Sequence, residues 1–285
     1  MKPEKPKFKK DILVFYHANC ADGFSAAWAA WKKFGHAADY IPLSHGSTMP
    51  DLKEKNIFFI DIVPPEAAIK KIIANNKEVI AIDHHTSNQE LMPLFEKSVY
   101  DSSKSASVLA WEYFHPDESL PALLRYVQDM DLWQWRLLQS RDICTYINFV
   151  DMSFETWDRM AADLEYDAAR DQIVDYGSHI NRYKDKKIRE IVERNAQKVI
   201  FDGVKALAVN SSTLTSQIGD ALLKRNVPLG IVWVEANDKI HVSMRSDGSV
   251  DVAELAKKYG GGGHIQASGF RLPLGTALPW EVIET

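Results

Sequence analysis

The residue types that most directly imply chemistry are Asp83-His84-His85, an acid and two imidazoles placed after the apolar run Val79-Ile80-Ala81-Ile82 and before the polar turn Thr86-Ser87-Asn88. A buried strand ending there delivers three metal- or proton-handling groups to one point. Two other apolar runs end in a similar way. Ile12-Leu13-Val14-Phe15-Tyr16 leads into His17-Ala18-Asn19-Cys20-Ala21-Asp22-Gly23, and Ile57-Phe58-Phe59-Ile60 leads into Asp61. A single acid after a strand often caps the next helix. Three such ends in one parallel sheet point to one site, because ligands of open parallel sheets bind beyond the carboxyl ends of the strands. Asp129 and Asp131, set among Tyr126, Trp133 and Trp135, read either as a solvated acidic pair beside aromatic core or as a further part of that site.

The elements that must hold these groups are set by periodicity. The three runs are apolar throughout, as strands buried on both faces are, and helical stretches alternate with them, which predicts a parallel sheet with helices on its faces. Residues 25–34 read as a helix stopped by Gly35, and Pro64-Pro65 opens another. Tyr40-Ile41-Pro42-Leu43 carries a proline and is expected at a sheet edge. Serine-rich residues 102–107 precede a helix. Their position suits phosphate binding through backbone N–H groups, with Ser105 as the candidate contact, and suits plain N-capping equally.

The last third has a different texture. Strands are expected near 206–210 and 230–234, and Asn237-Asp238 turns the chain back into an alternating strand at 240–245. A helix over 250–259 then meets Gly260-Gly261-Gly262-Gly263-His264. Four glycines followed at once by a histidine and an apolar segment suit close backbone approach to an anion, with His264 and Arg245 as donors.

At 285 residues the chain is long enough for two domains. A formal net charge of −5 argues against a protein that tracks long nucleic acid by neutralising phosphates, and leaves small anionic substrates open. Two cysteines without CxxC spacing fit a reducing compartment. Neither a signal-peptide pattern nor a membrane-length apolar run occurs, so the expectation is a soluble cytoplasmic protein.

Taken together, Asp22-Gly23, Asp61, Asp83-His84-His85, Asp129 and the terminal Gly-Gly-Gly-Gly-His with Ala267-Ser268-Gly269-Phe270 resemble the DHH phosphoesterases that carry the DHH-associated C-terminal domain of the first subtype. That family includes exonucleases, oligoribonucleases and cyclic-dinucleotide phosphodiesterases. The resemblance implies an α/β fold with a parallel-sheet catalytic domain, a smaller α/β substrate-binding domain and an active site in the cleft between them. The corresponding boundaries are a mobile basic arm at 1–10, a catalytic domain at 11–185, a helical linker at 186–199 and a C-terminal domain at 200–285. It implies two divalent ions, manganese first, held by Asp22, Asp61, His84 and Asp129. Asp83 would orient the trio, and His85 would face the scissile phosphate. Arg245, Gly262, Gly263 and His264 would hold substrate.

One position departs from the family pattern. Cys20 stands where many members carry an acid, and a soft thiolate suits hard manganese poorly. His17 and Asn19 are the other candidates for that place. The implied activity is hydrolysis of very short oligonucleotides or linear dinucleotides to nucleoside monophosphates. A cyclic dinucleotide or a longer single strand is the alternative substrate, and an impaired nucleotide-binding module the alternative of another class. Neither long duplex nor membrane is an expected partner, and a homodimer is left open.

Overall fold

A computed structural model describes residues 8–44 and 46–283 of the chain. It divides into two units at Asn181/Arg182, a boundary that falls inside one long helix. No described helix is long and apolar enough to cross a membrane.

The first unit runs β1 (Ile12–His17), α1 (Ala21–Phe34), β2 (Ala38–Leu43), β3 (Asn56–Ile60), α2 (Glu66–Asn75), β4 (Glu78–Asp83), a 3-10 segment (Thr86–Leu94), β5 (Lys97–Tyr100), α3 (Ala106–Phe114), α4 (Ala122–Asp131), α5 (Ser140–Ile147), α6 (Phe154–Asp163) and α7 (Asp167–Asn195). The five strands form one parallel sheet in the order β2-β1-β3-β4-β5. Alternate side chains of the central strands enter two cores. Val14, Phe58, Ile60, Ile80 and Ile82 pack with Trp28, Trp111 and Trp157 on one face. Leu13, Phe15, Ile57, Phe59 and Ala81 pack with Ile69, Ile72 and Met92 on the other. Burial on both faces is why these runs are apolar at every position and not at every second one.

Pro42 lies in β2, which is an edge strand, where a missing N–H costs least. The opposite edge, β5, went unrecognised in the sequence because Lys97-Ser98-Val99-Tyr100 is short and half polar, as an exposed edge requires. Residues 1–7 of the expected mobile arm lie outside the described residues. Phe8, nearer the sheet, packs edge-on against Phe15 with ring centroids 6.1 Å apart.

The second unit continues from α7 through β6 (Gln197–Phe201), β7 (Val204–Asn210), α8 (Thr215–Leu223), β8 (Leu229–Ala236), β9 (Lys239–Ser246), α9 (Val252–Lys257), β10 (Gly262–His264), β11 (Ala267–Pro273) and β12 (Trp280–Val282). They form a seven-stranded sheet ordered β10-β11-β9-β8-β7-β6-β12, in which, among the described strands, only β7 and β8 run parallel. Asn237 and Asp238, with φ of 51° and 61°, make the tight turn between β8 and β9. The helix expected over 186–199 is the end of α7, which starts at Asp167, and strand β6 takes up residues 197–201.

Candidate metal and phosphoester site

β1, β3 and β4 are neighbours in the sheet, so their carboxyl ends lie side by side. His17 ends β1, Asp61 follows β3, and Asp83 ends β4 with His84 and His85 beyond it. This topology alone collects three of the sequence candidates at one edge. Asp61 has a left-handed backbone (φ 62°), which an aspartate tolerates better than most side chains and which typically costs about 1–3 kcal/mol.

Within the trio, the acid holds and the imidazoles are held. Asp83 is fully buried, and its Oδ1 accepts from the backbone N–H of His84 (2.6 Å), the backbone N–H of His85 (2.9 Å) and His85 Nδ1 (2.8 Å). Its Oδ2 accepts from Asn88 Nδ2 at 2.7 Å. A carboxylate with four donors around it positions the His85 imidazole directly and the His84 backbone beside it.

Asp61 stands between two sets of donors. Its Oδ2 is 3.3 Å from His17 Nδ1, and its Oδ1 is 3.4 Å from His84 Nε2 and 3.6 Å from His85 Nδ1. On the first side His17, Cys20 and Asp61 offer ligating atoms all within 4.8 Å of one another. On the second, Asp22, His84 and Asp131 do the same, with His84 Nε2 3.8 Å from Asp22 Oδ2 and 3.6 Å from Asp131 Oδ2.

The electrostatics are those of a cluster that buries this much carboxylate. Burial, then the neighbouring Asp61, raises the pKa of Asp22; burial, Asp22 and Asp61 push that of Asp131 well up. Burial likewise disfavours charge on the imidazoles, but the carboxylates outweigh it. The Asp61 contact lifts His84 to about 9, and the Asp83 hydrogen bond lifts His85 to about 10. Asp61 itself stays well below the usual carboxylate range, its burial outweighed by His17, His84 and His85. The cluster therefore demands positive charge. Both oxygens of Asp61 meet imidazole nitrogens at 3.3–3.6 Å, and each carboxylate oxygen keeps a further lone pair for a cation. The donor set fits divalent metal ions on both sides of Asp61.

Asp129 requires a correction. The fourth acid beside His84 is Asp131, while Asp129 turns its carboxylate to the backbone N–H groups of Arg136 (2.9 Å) and Leu137 (3.2 Å). Asp129 thus clamps the loop after α4, where Trp133 and Trp135 both adopt positive φ and Trp133 is 41% exposed.

Ser105 requires another. It is fully buried, with its Oγ on Ser107 Oγ at 2.9 Å and its N–H on Gln128 Oε1. The anion at the start of α3 is the protein's own. The N–H groups of Ala106 and Ser107 donate to Asp22 Oδ2 and Oδ1 at 2.8 and 3.0 Å, so a helix N-terminus fixes this carboxylate instead of a phosphate. Asn19 is exposed, with a left-handed backbone, and does not join the buried donors.

Gly23 sets the distance between α1 and β1. A Cβ there would stand 2.5 Å from His17 O and 2.9 Å from His17 Cβ. Gly23→Ala is expected to displace His17 from Asp61, cutting metal affinity and activity about 10–100-fold, as displaced ligand supports do. Metal titration beside urea unfolding checks this, since overpacking alone would cost only about 1–3 kcal/mol of stability.

In the second unit, β9, β11 and β10 align Arg245 with Ala267 and Ala267 with His264, one row across three adjacent strands. Directly paired residues share a face, so Arg245 and His264 project to the same side of the sheet. Arg245 donates to Met244 O and Ser216 Oγ, and its chain crosses Gly219, where a Cβ would meet Arg245 Cγ at 2.7 Å. The glycine run splits in function. Gly261 and Gly263 are required by the backbone of β11, since a Cβ would lie 2.1 Å from Gly269 O and 2.6 Å from Ala267 O respectively. A packing reason thus accounts for the glycine at 263, whereas Gly262 opens onto space.

Comparison with known proteins agrees with this architecture. Residues 184–282 match the DHHA1 domain family. Protein R106 of Acanthamoeba polyphaga mimivirus is 29% identical over 99% of this chain and 73% of its own length. Oligoribonuclease NrnB of Bacillus subtilis (strain 168) is 25% identical over 72% of this chain and 55% of its own, so the chain spans about half of that relative. The structure of the pGpG-specific phosphodiesterase PggH from Vibrio cholerae superposes with a TM-score of 0.50 at 17% identity, covering 93% of this chain and 94% of that one. With its strand-end acids, its Asp-His-His trio and its C-terminal glycine-histidine strand, the chain is similar to the DHH phosphoesterases, and its residues 184–282 belong to the DHHA1 domain family.

Proposed function

We propose that the protein is a manganese-dependent phosphodiesterase that releases nucleoside monophosphates from very short oligonucleotides or linear dinucleotides. The observation that carries this reading is the convergence of Asp22, Asp61, His84 and Asp131 beyond adjacent parallel strands. When bound, paired divalent ions neutralise charge on the phosphate and lower the pKa of the attacking water. The chain's own residues do the rest. Asp22, held by the α3 N-terminus, and Asp61, between two imidazoles, present preset carboxylates. With Nδ1 bonded to Asp83, His85 has Nε2 as the nitrogen through which a proton reaches the leaving oxygen. Arg245 and His264, on one face of the second sheet, suit a substrate phosphate. The exposed indole of Trp133, two residues beyond Asp131, suits stacking of a base.

A short substrate is favoured by the net charge of −5, unsuited to tracking a long polyanion. The names of two similar proteins, an oligoribonuclease and a pGpG-specific phosphodiesterase, point the same way. The test is a length series from linear dinucleotide upward, plus cyclic dinucleotides, incubated with protein and Mn2+ and resolved by chromatography. The expected result is fastest release of monophosphates from the dinucleotide. Preference for the longest strand or the cyclic compound overturns the substrate assignment, and no turnover with any divalent ion overturns the enzyme reading.

A further inference from the structure

The two sides of Asp61 are chemically unlike. Asp22, His84 and Asp131 supply two carboxylates and an imidazole, a set dominated by hard oxygen donors. His17, Cys20 and Asp61 supply an imidazole, a sulfur and a carboxylate. Ligands at zinc bond lengths in a tetrahedron stand about 3.3–3.7 Å apart, and His17 Nδ1 lies 3.3 Å from Asp61 Oδ2, already at that spacing. The Cys20 sulfur completes the triangle, with all three donor atoms within 4.8 Å of one another. Cys20 precedes α1 in extended backbone, at the N-terminal position whose usual occupants cap with an oxygen, yet it makes no side-chain cap. Its sulfur stands beside the donor atoms of His17 and Asp61.

We propose that this centre takes two different divalent ions, with His17, Cys20 and Asp61 forming a position that selects zinc-class ions (Zn2+, Co2+ or Fe2+) over Mn2+ and Mg2+. Soft thiolate and borderline imidazole favour the later first-row ions, whereas Asp22, His84 and Asp131 accept hard ions readily. Asp61, with one oxygen toward each position, links the two. The inference rests on reading the cluster as a metal centre, and its test does not depend on the reaction catalysed.

The experiment is titration of the metal-free full chain with Co2+, followed by near-ultraviolet and visible absorption. A thiolate-to-cobalt charge-transfer band is expected in the wild type. It disappears in Cys20→Ala and Cys20→Asp and persists in Cys144→Ala, because Cys144 is buried elsewhere against Tyr126 O. Stoichiometric Zn2+ should bleach the band, while Mn2+ does so only at about hundredfold excess or more. Metal analysis after dialysis against mixed Zn2+ and Mn2+ should find zinc retained by the wild type and replaced by manganese in Cys20→Asp. Circular dichroism of Cys20→Ser verifies that the fold survives loss of the thiol. Cobalt binding without a thiolate band, or a band that tracks Cys144, overturns the Cys20 assignment and leaves the metal-centre reading standing. Failure of cobalt to bind at all overturns both.

Discussion

Asp61→Asn is expected to abolish turnover, with a loss of about 10³-fold or more, because changing even a supporting group of a metal ligand costs about 10–100-fold and Asp61 faces both donor sets. The amide keeps the volume and one acceptor oxygen but offers a nitrogen to one side and carries no charge. His17 and His84 would then meet a neutral neighbour where each now meets a carboxylate oxygen 3.3–3.4 Å away. The His84 proton, now favoured by Asp61, should be released more readily, so that imidazole titrates at lower pH in the variant. Steady-state kinetics measures the first effect and imidazole NMR titration of the metal-free protein the second. Near-wild-type turnover in Asp61→Asn would remove this residue from the centre of the site.

The second large effect separates two acids only two residues apart. Asp131→Asn is expected to lower activity about 10²-fold while raising the melting temperature of the metal-free protein. The activity loss comes from its place 3.6 Å from His84, and its size is that typical of a disturbed metal ligand shell. The stability gain comes from removing a carboxylate that burial, Asp22 and Asp61 all disfavour as an anion. Asp129→Asn behaves in the opposite sense. Its carboxylate holds the N–H groups of Arg136 and Leu137, so the variant should lose about 1–2 kcal/mol of stability through weakened bonds of the charge-assisted kind. Its activity loss should be smaller and confined to what movement of the 132–137 loop causes. Calorimetry of both variants with and without metal, beside kinetics, checks the pair. Equal activity losses with both proteins destabilised would restore Asp129 to the ligand set.

Such a reversal of stability is expected where function concentrates like charges. Asp22, Asp61 and Asp131 are gathered at a point where the fold without metal gains nothing from their proximity, and a site of this kind is stabilised by what it binds. Helix α3 offsets part of the cost by donating two backbone N–H groups to Asp22.

By itself the sequence determined the parallel sheet and the site's edge. Uninterrupted apolar runs report burial on both faces, and the residues immediately after each run must stand at its carboxyl end, so His17, Asp61 and the Asp83-His84-His85 trio were readable as neighbours. Pro42 marked the edge strand and Asn237-Asp238 the turn for equally local reasons. Only the tertiary structure decided between Asp129 and Asp131, since the choice depends on which side of α4 faces His84 and which faces its own C-terminal loop. Only it showed that the N–H groups at the start of α3 are taken by Asp22, 84 residues away in sequence from Ala106. Long-range pairing of this kind leaves no periodic trace. The same holds for Asp61, whose two oxygens divide the donors into a hard set and a set containing sulfur: sequence names the ligands, and folding alone assigns each to its side.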